Sequence, residues 1–373
     1  VKPPGLAARL EALLARHWWQ PRPTLLAITL MPLAWLYAGL ARRHAARQRA
    51  GGAAQPLAVP VLVVGNVVVG GAGKTPMVVA VVQALKAAGY HPGILSRGHG
   101  RQGTSVRAVS PDDAPGEAGD EPLLIQRLTQ QPVWVGADRV AAATALCARH
   151  PEVNVLVSDD GLQHRALARQ VELIVFDRRG AGNGLLLPAG PLREALPTGL
   201  APHQRVLYTS GVASTSLPGA LATPELGSAW PLADWERGDG THRMPLAALR
   251  GRPLVAAAGL AAPEKFYAML EAEGLTIQRL PLPDHHDYAR LPWPEGTPDV
   301  LITEKDAVKL RAERTGDTRV WVVPLDLQLP NGLMPELIDL LFAHTGQRPD
   351  GGALPPSSPP LPLTSAPPTA PAP

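Results

Sequence analysis

The sequence predicts an α/β protein: a mostly parallel sheet with helices on both faces, a second and smaller α/β domain, and an N-terminal apolar helix. Three observations predict it. Short apolar runs alternate with helical patterns from about residue 59 onward. A glycine-rich turn joins the first run to the first helix, and a long uncharged stretch lies near the start of the chain. Strands that alternate with helices pair in parallel, because each helix carries the chain back across a sheet face.

The uncharged stretch comes first. PTLLAITLMPLAWLYAGLA, residues 23–41, is 19 residues long, about 28 Å as a helix, against about 30 Å for a bilayer core. Trp18 and Trp19 precede it, Trp35 and Tyr37 stand near its far end, and Arg42, Arg43, Arg47 and Arg49 follow. Aromatic and basic flanks of this kind belong at a membrane interface, and the denser basic cluster puts the rest of the chain in the cytoplasm. Spanning the membrane, lying in its surface and packing in a core all fit the length. Pro32 in the middle favours a kinked or interfacial helix.

The strands follow. Runs at 59–65, 153–158, 171–177 and 204–209 read as strands, and 77–88 and 138–148 as helices between them. Residues 253–258, 300–303 and 319–323 read as strands of the second unit, with a helix over 263–273. The expected organisation is a membrane-associated segment 1–50, a core 51–210, a connector 211–250, a C-terminal α/β domain 251–345 and a disordered Pro-rich tail 346–373.

Composition narrows the function. The net charge of +3 over 373 residues is too small for a nucleic-acid binder. The lone cysteine, Cys147, rules out an intramolecular disulfide and a Cys-based metal cluster, fits a reducing compartment and reads as a small buried hydrophobe. Only six of the 35 basic residues are lysine, and none lies between Lys86 and Lys265. A lysine nevertheless stands in GNVVVGGAGKTP, residues 65–76.

That segment is a phosphate-binding loop. Phosphate needs inward-pointing N–H groups, the positive end of a helix and a flexible cation. Gly70, Gly71, Ala72 and Gly73 form the wrap, Lys74 reaches the β/γ-phosphates, the Thr75 hydroxyl holds Mg²⁺, and Pro76 sits in the first helical turn, where a missing N–H costs nothing. The strict G-x-x-x-x-G-K-[ST] spacing fails, because its first glycine falls at Val68. The strand–loop–helix context makes the core P-loop NTPase-like, with ATP and Mg²⁺ as cofactors.

A P-loop enzyme also needs a carboxylate at the end of a neighbouring strand. SDDG supplies Asp159 and Asp160 after an apolar run. GDEP holds Asp120 and Glu121, which also suit a helix N-terminus. PDHH holds His285 and His286, one of which suits a general base near neutral pH. Arg97, Arg193 and Lys305 are further cations that could meet phosphate or pair with surface acids.

Taken together, GNVVVGGAGKTP, ILSRGHGR (94–101), GDEPLL (119–124), GADRVAAA (136–143), SDDGLQH (158–164), GNGLLLPAGPLRE (182–194), PDHH (283–286) and TEKDAVK (303–309) resemble the lipid A 4'-kinase (tetraacyldisaccharide 4'-kinase) family of Gram-negative bacteria. The resemblance runs over about residues 56–325 in the family's order. It implies transfer of the ATP γ-phosphate to the 4'-hydroxyl of a tetraacyl glucosamine disaccharide 1-phosphate, at the cytoplasmic face of the inner membrane, with no obligate protein partner. It implies that Asp120 and His285 form a dyad taking the hydroxyl proton, that Lys74 contacts the β/γ-phosphates, that Thr75, Asp159 and Asp160 organise Mg²⁺, and that Glu121 assists near the metal. With Asp120 in the core and His285 in the C-terminal domain, domain closure would assemble the dyad.

Two other readings use the same loop. A partition- or metallochaperone-type NTPase switch calls for a second lysine at position 69, which is Val69 here. A membrane-anchored nucleotide-binding scaffold needs neither Asp120 nor His285.

Overall fold

The computed structural model describes residues 13–50, 57–71 and 73–343, which divide into two units. Ala72, the linker 51–56 and the tail 346–373 lie outside the described residues. The first unit joins the N-terminal part of the chain through residue 93 to residues 151–223 and to the chain from 329 onward; the second joins residues 94–150 to 224–328.

The first unit is built on parallel strands that are buried along most of their length. Val61–Gly65 lies between Val155–Asp159 and Val171–Phe176, which in turn pairs with Gln204–Tyr208 and that with the short Ala220–Leu221. All-apolar runs such as VLVVG and VELIVF form here because both faces of a parallel sheet are covered. Helix Lys74–Ala87 buries Met77, Val78, Val81, Val82 and Leu85, positions spaced three and four apart that share one face. Helix Leu333–Phe342 packs against this helix and against Val171–Phe176, with the Phe342 ring stacked 5.1 Å from Tyr90 and Glu336 held 2.6 Å from Arg205.

The N-terminal apolar stretch forms two helices, Leu25–Thr29 and Met31–Ala50, separated at Leu30. Thr24 caps the first with its hydroxyl, and Pro32, which has no N–H to give, falls in the opening turn of the second. Among the described residues no helix is long and apolar enough to cross a membrane. The expected single apolar helix is therefore corrected to two, the second running on into Arg42, Arg43 and Arg47.

The second unit has its own parallel sheet, Ile277–Pro281, Leu254–Ala258, Asp299–Thr303 and Arg319–Val323, edged by the antiparallel Trp230–Pro231. Helix Pro263–Ala272 lays Phe266, Tyr267 and Leu270 on Ala256, Ala258, Leu301 and Trp321. The remainder of the unit pairs residues 94–96 in parallel with Val133–Val135, itself antiparallel to Arg107–Ala108. Helices Asp120–Thr129 and Arg139–Arg149 pack on Val133–Val135, and the short helix Glu304–Ala307 touches Asp120–Thr129. Cys147, on the second of these helices, is half-buried rather than fully enclosed.

This division corrects the sequence-based boundaries. Residues 94–150 leave the expected core 51–210 for the second unit, and 329–343 leave the expected domain 251–345 for the first. Residues 211–250 are no plain connector: they hold short strands and helix Leu232–Arg237. The reason is physical. Apolar periodicity identifies elements, while unit membership follows from which faces pack together across long sequence separations.

Candidate active site

In the first unit, parallel pairing places Val64 opposite Asp159, so the loop after Val61–Gly65 and the acids after Val155–Asp159 leave neighbouring strand ends on the same side. Ligands of α/β sheets bind outside the carboxyl ends of the strands. The loop is braced along its length. Val69 N–H donates to the Pro191 carbonyl and Arg193 N–H to that of Val67. The Arg179 guanidinium donates to the Gly71 carbonyl at 2.8 Å. Gly73, with φ of +76°, caps helix Lys74–Ala87 in a left-handed conformation. The Lys74 and Thr75 N–H groups stand at the start of this helix, where such groups have no partner within the helix and an anion is favoured.

Lys74 Nζ lies 3.3 Å from Asn66 Oδ1 and 3.5 Å from Asp160. Arg193 donates to both oxygens of Asp160, at 3.0 and 3.1 Å. Burial pushes the Asp160 carboxyl up, but the Lys74 and Arg193 charges outweigh it and hold the group below its ordinary range. Asp159 is buried at 2% exposure, and Thr75 stands half-buried in the first helical turn. A hydroxyl and two carboxylates are the hard oxygen donors that Mg²⁺ takes, so the residues present fit that ion.

The second cluster lies wholly within the second unit. Asp120 opens helix Asp120–Thr129 directly after Gly119, and Glu121 follows in the same turn. His285 lies in the loop between Ile277–Pro281 and Asp299–Thr303, with φ of +58°. Their side chains meet, His285 Nδ1 to Asp120 Oδ2, at 2.9 Å. Burial pushes Asp120 up, but the His285 hydrogen bond and the charges of Lys309, His285 and Lys305 bring it below its ordinary range. An ionised carboxylate only accepts, so Nδ1 carries the proton and Nε2 is left as the basic nitrogen. A cleft of about 520 Å³ opens on this pair, lined also by His99, Asp287 and Lys309.

Asp120 and His285 therefore meet within one unit and not by closure of two. Glu121 stays with this cluster, its carboxylate 3.9 Å from Lys305, while Thr75, Asp159 and Asp160 belong to the first unit. Arg97 is exposed. His286 turns away from Asp120, its ring edge-on to buried Tyr288 at 4.9 Å.

Sequence reasoning missed four residues. Asn66 directly follows the loop's strand and orients Lys74. Arg179 fixes the loop backbone and stacks 4.3 Å from the Trp19 ring. Thr209 lies against Gly73. Lys309, only 3% exposed, stands 3.7 Å from Asp120. Lys309 alone had a usable signal: a second lysine within TEKDAVK in a chain that is poor in lysine.

Comparison with known proteins places the chain in a family. The sequence profile of a family described as tetraacyldisaccharide-1-P 4'-kinase matches residues 26–342. The tetraacyldisaccharide 4'-kinase of Leptothrix cholodnii is 50% identical, over 93% of this chain and 99% of that one. That of Methylibium petroleiphilum is 49% identical, over 92% and 97%. The crystal structure of LpxK from Aquifex aeolicus in complex with ATP superposes with a TM-score of 0.69 at 27% identity, covering 85% of this chain and 100% of that one.

Proposed function

The chain belongs to the tetraacyldisaccharide-1-P 4'-kinase family, and we propose that it carries out the family's reaction with the two clusters described above. The reaction moves the ATP γ-phosphate to the 4'-hydroxyl of a tetraacyl glucosamine disaccharide 1-phosphate. ATP is held by residues of the first unit and the hydroxyl is activated by residues of the second. The observation that carries this reading is the 2.9 Å contact between Asp120 and His285, residues 165 apart in the chain.

Phosphoryl transfer is mostly positioning and charge stabilisation. The 65–76 loop wraps the phosphates with backbone N–H groups, and Lys74 draws charge toward the β/γ-phosphates. Asp160 and Asn66 hold the Lys74 ammonium at the loop before ATP arrives. Thr75, Asp159 and Asp160 would hold Mg²⁺, which would offset phosphate charge when bound. A sugar hydroxyl is a weak nucleophile, so a base at the moment of transfer matters. His285 Nε2 takes its proton, and Asp120 keeps the ring in the required tautomer and stabilises the imidazolium that forms.

The acceptor's acyl chains stay in a bilayer, so the enzyme must meet it at the surface. Leu33, Leu36 and Leu40 line one face of helix Met31–Ala50, and they are exposed together with Trp35, Leu25 and Ile28. The helix is tied down along a neighbouring stripe: Tyr37 donates to the Arg193 carbonyl at 3.0 Å and Gln48 accepts from Arg165 N–H. We place this apolar face in the cytoplasmic leaflet of the inner membrane of a Gram-negative bacterium, where ATP is available. Leu33→Glu with Leu36→Glu should abolish flotation with anionic vesicles; unchanged flotation would refute the assignment.

The direct test supplies the full chain in detergent with γ-labelled ATP, Mg²⁺ and the tetraacyl disaccharide 1-phosphate. Label should appear on the lipid and be lost with Lys74→Ala and with His285→Ala. Hydrolysis of ATP with no labelled lipid would leave the loop as a nucleotide switch and end the kinase reading.

A further inference from the structure

Two lysines four positions apart, Lys305 and Lys309, face the Asp120–His285 pair, and they face it differently. Lys309 is locked in place. Its side chain is 3% exposed, and its Nζ lies 3.7 Å from Asp120 and 3.5 Å from Asp306. Asp306 is itself fully buried and accepts from Thr303 Oγ1 and the Gly259 N–H. An ammonium wedged between two carboxylates holds a frame.

Lys305 is not wedged. Its side chain is 19% exposed, with Nζ 3.1 Å from Asp284 Oδ1, 3.9 Å from Glu121 Oε1 and 3.4 Å from His285 Nε2. An ammonium only donates, so the last contact fixes Nε2 as an acceptor. Nε2 is also the nitrogen that must receive the acceptor hydroxyl, because Nδ1 is committed to Asp120. The Lys305 ammonium therefore stands beside the position of the reacting oxygen. It is held there by partly exposed acids, which bind a lysine weakly and let it turn.

Resting on the dyad reading above, we propose that Lys305 is a further catalytic residue, whose ammonium turns from His285 Nε2 to the phosphoryl oxygens once the acceptor hydroxyl docks on that nitrogen. In the step, the hydroxyl proton passes to Nε2 and the acceptor oxygen forms a bond to the γ-phosphorus. The bond from that phosphorus to the β,γ-bridging oxygen breaks, and its electron pair leaves with ADP. Lys305 keeps its three protons throughout and stabilises the non-bridging oxygens in flight. A compact ammonium with rotatable donors on a flexible stem suits a group that must change partners. Preorganised positive charge aimed at the moving phosphoryl group accelerates such transfers.

The test compares Lys305→Ala, Lys305→Met, Lys309→Ala and His285→Ala in the labelled-lipid assay, with and without ethylammonium chloride. With Lys305→Ala, kcat should fall on the order of a hundredfold, the scale of losing one transition-state donor, while KM for ATP stays within about threefold. Ethylammonium should restore part of that kcat saturably, and should leave Lys309→Ala and His285→Ala unrescued. Lys305→Met, which keeps the stem and loses the charge, should be as slow as the alanine variant. A kcat within about threefold of the parent overturns the proposal. So does a loss that the amine leaves untouched, or one that methionine repairs, since either makes Lys305 a packing residue. Parent-like activity in His285→Ala would instead overturn the dyad reading, whatever Lys305 does.

Discussion

The two clusters are built on opposite plans. The proposed phosphate loop is a continuous segment, residues 65–76, that follows a buried strand and ends in a helix, and on the proposed reading it would work largely through main-chain N–H groups. The base cluster has no such continuity. Asp120 opens one helix, His285 sits in a loop 165 residues on, and Lys305 and Lys309 come from a third segment. A backbone cradle needs glycine and a helix end, so its chemistry is written locally. A side-chain dyad needs only that two ordinary residues meet, and a third fold element decides whether they do. Loss of a cradle residue should therefore weaken ATP binding and transfer together, whereas loss of a dyad residue should spare ATP binding.

The largest effect is expected from Lys74→Ala, with transfer reduced by roughly a thousandfold or more, as for removal of other cations that stabilise phosphoryl transfer. ATP affinity measured by calorimetry should fall with it. His285→Ala should come next, losing on the order of 10²–10⁴ in kcat, the usual contribution of a general base. Its ATP affinity should match the parent's. Asp120→Asn should slow kcat as well, and the double variant should be hardly slower than His285→Ala alone, because paired groups fail as a unit. Additive losses in the double variant would mean that the two residues act separately.

The same contrast explains what could be read from the sequence. The loop, the Asp159–Asp160 exit, four of the eight described strands of one sheet and three of the five of the other were legible, because apolar runs and glycine turns encode them within about ten residues. Asp120 and His285 were legible as a pair only through the family resemblance; by themselves they read as a helix-start acid and a loop histidine. Their shared unit was not legible at all. It depends on residues 94–150 packing with 224–328, and no periodicity records that. Arg179 escaped notice for a related reason. Its role is a single hydrogen bond to the Gly71 carbonyl across 108 residues, and an arginine in an arginine-rich chain stands out from nothing.

Glycine substitutions sharpen the comparison at the level of stability. Gly119 precedes Asp120 with φ of +94°, and a Cβ there would lie 3.0 Å from the His99 carbonyl oxygen and 3.2 Å from Gly98 Cα. Gly119→Ala should cost about 1–3 kcal/mol, the usual range for a strained backbone position, and lower the melting temperature by several degrees. Gly71, in the cradle, has nothing within 4 Å of its added Cβ and no positive φ. Gly71→Ala should melt with the parent. Equal melting temperatures for both variants would show that the Gly119 turn relaxes freely.

The smallest effect is a pH dependence at the cradle, and its sign follows from charge alone. The Asp160 carboxyl is raised by burial but lowered further by Lys74 and Arg193, so it is held below its unfolded value of about 3.9. A depressed carboxylate contributes stability that is fully present above the unfolded pKa and is lost as pH falls through the folded one. Arg193→Met removes the guanidinium that donates to both Asp160 oxygens, and it leaves the backbone hydrogen bond to Val67 in place. The variant should melt slightly below the parent at neutral pH, by no more than a partly exposed ion pair supplies, about 0–1 kcal/mol. The gap should close as acid protonates Asp160, because a neutral carboxyl no longer attracts the cation. A gap that stays constant from neutral pH down through the acid range would mean that Arg193 supports the loop by packing. The loop would then owe its anion-ready geometry to shape and not to the charge pair beneath Lys74.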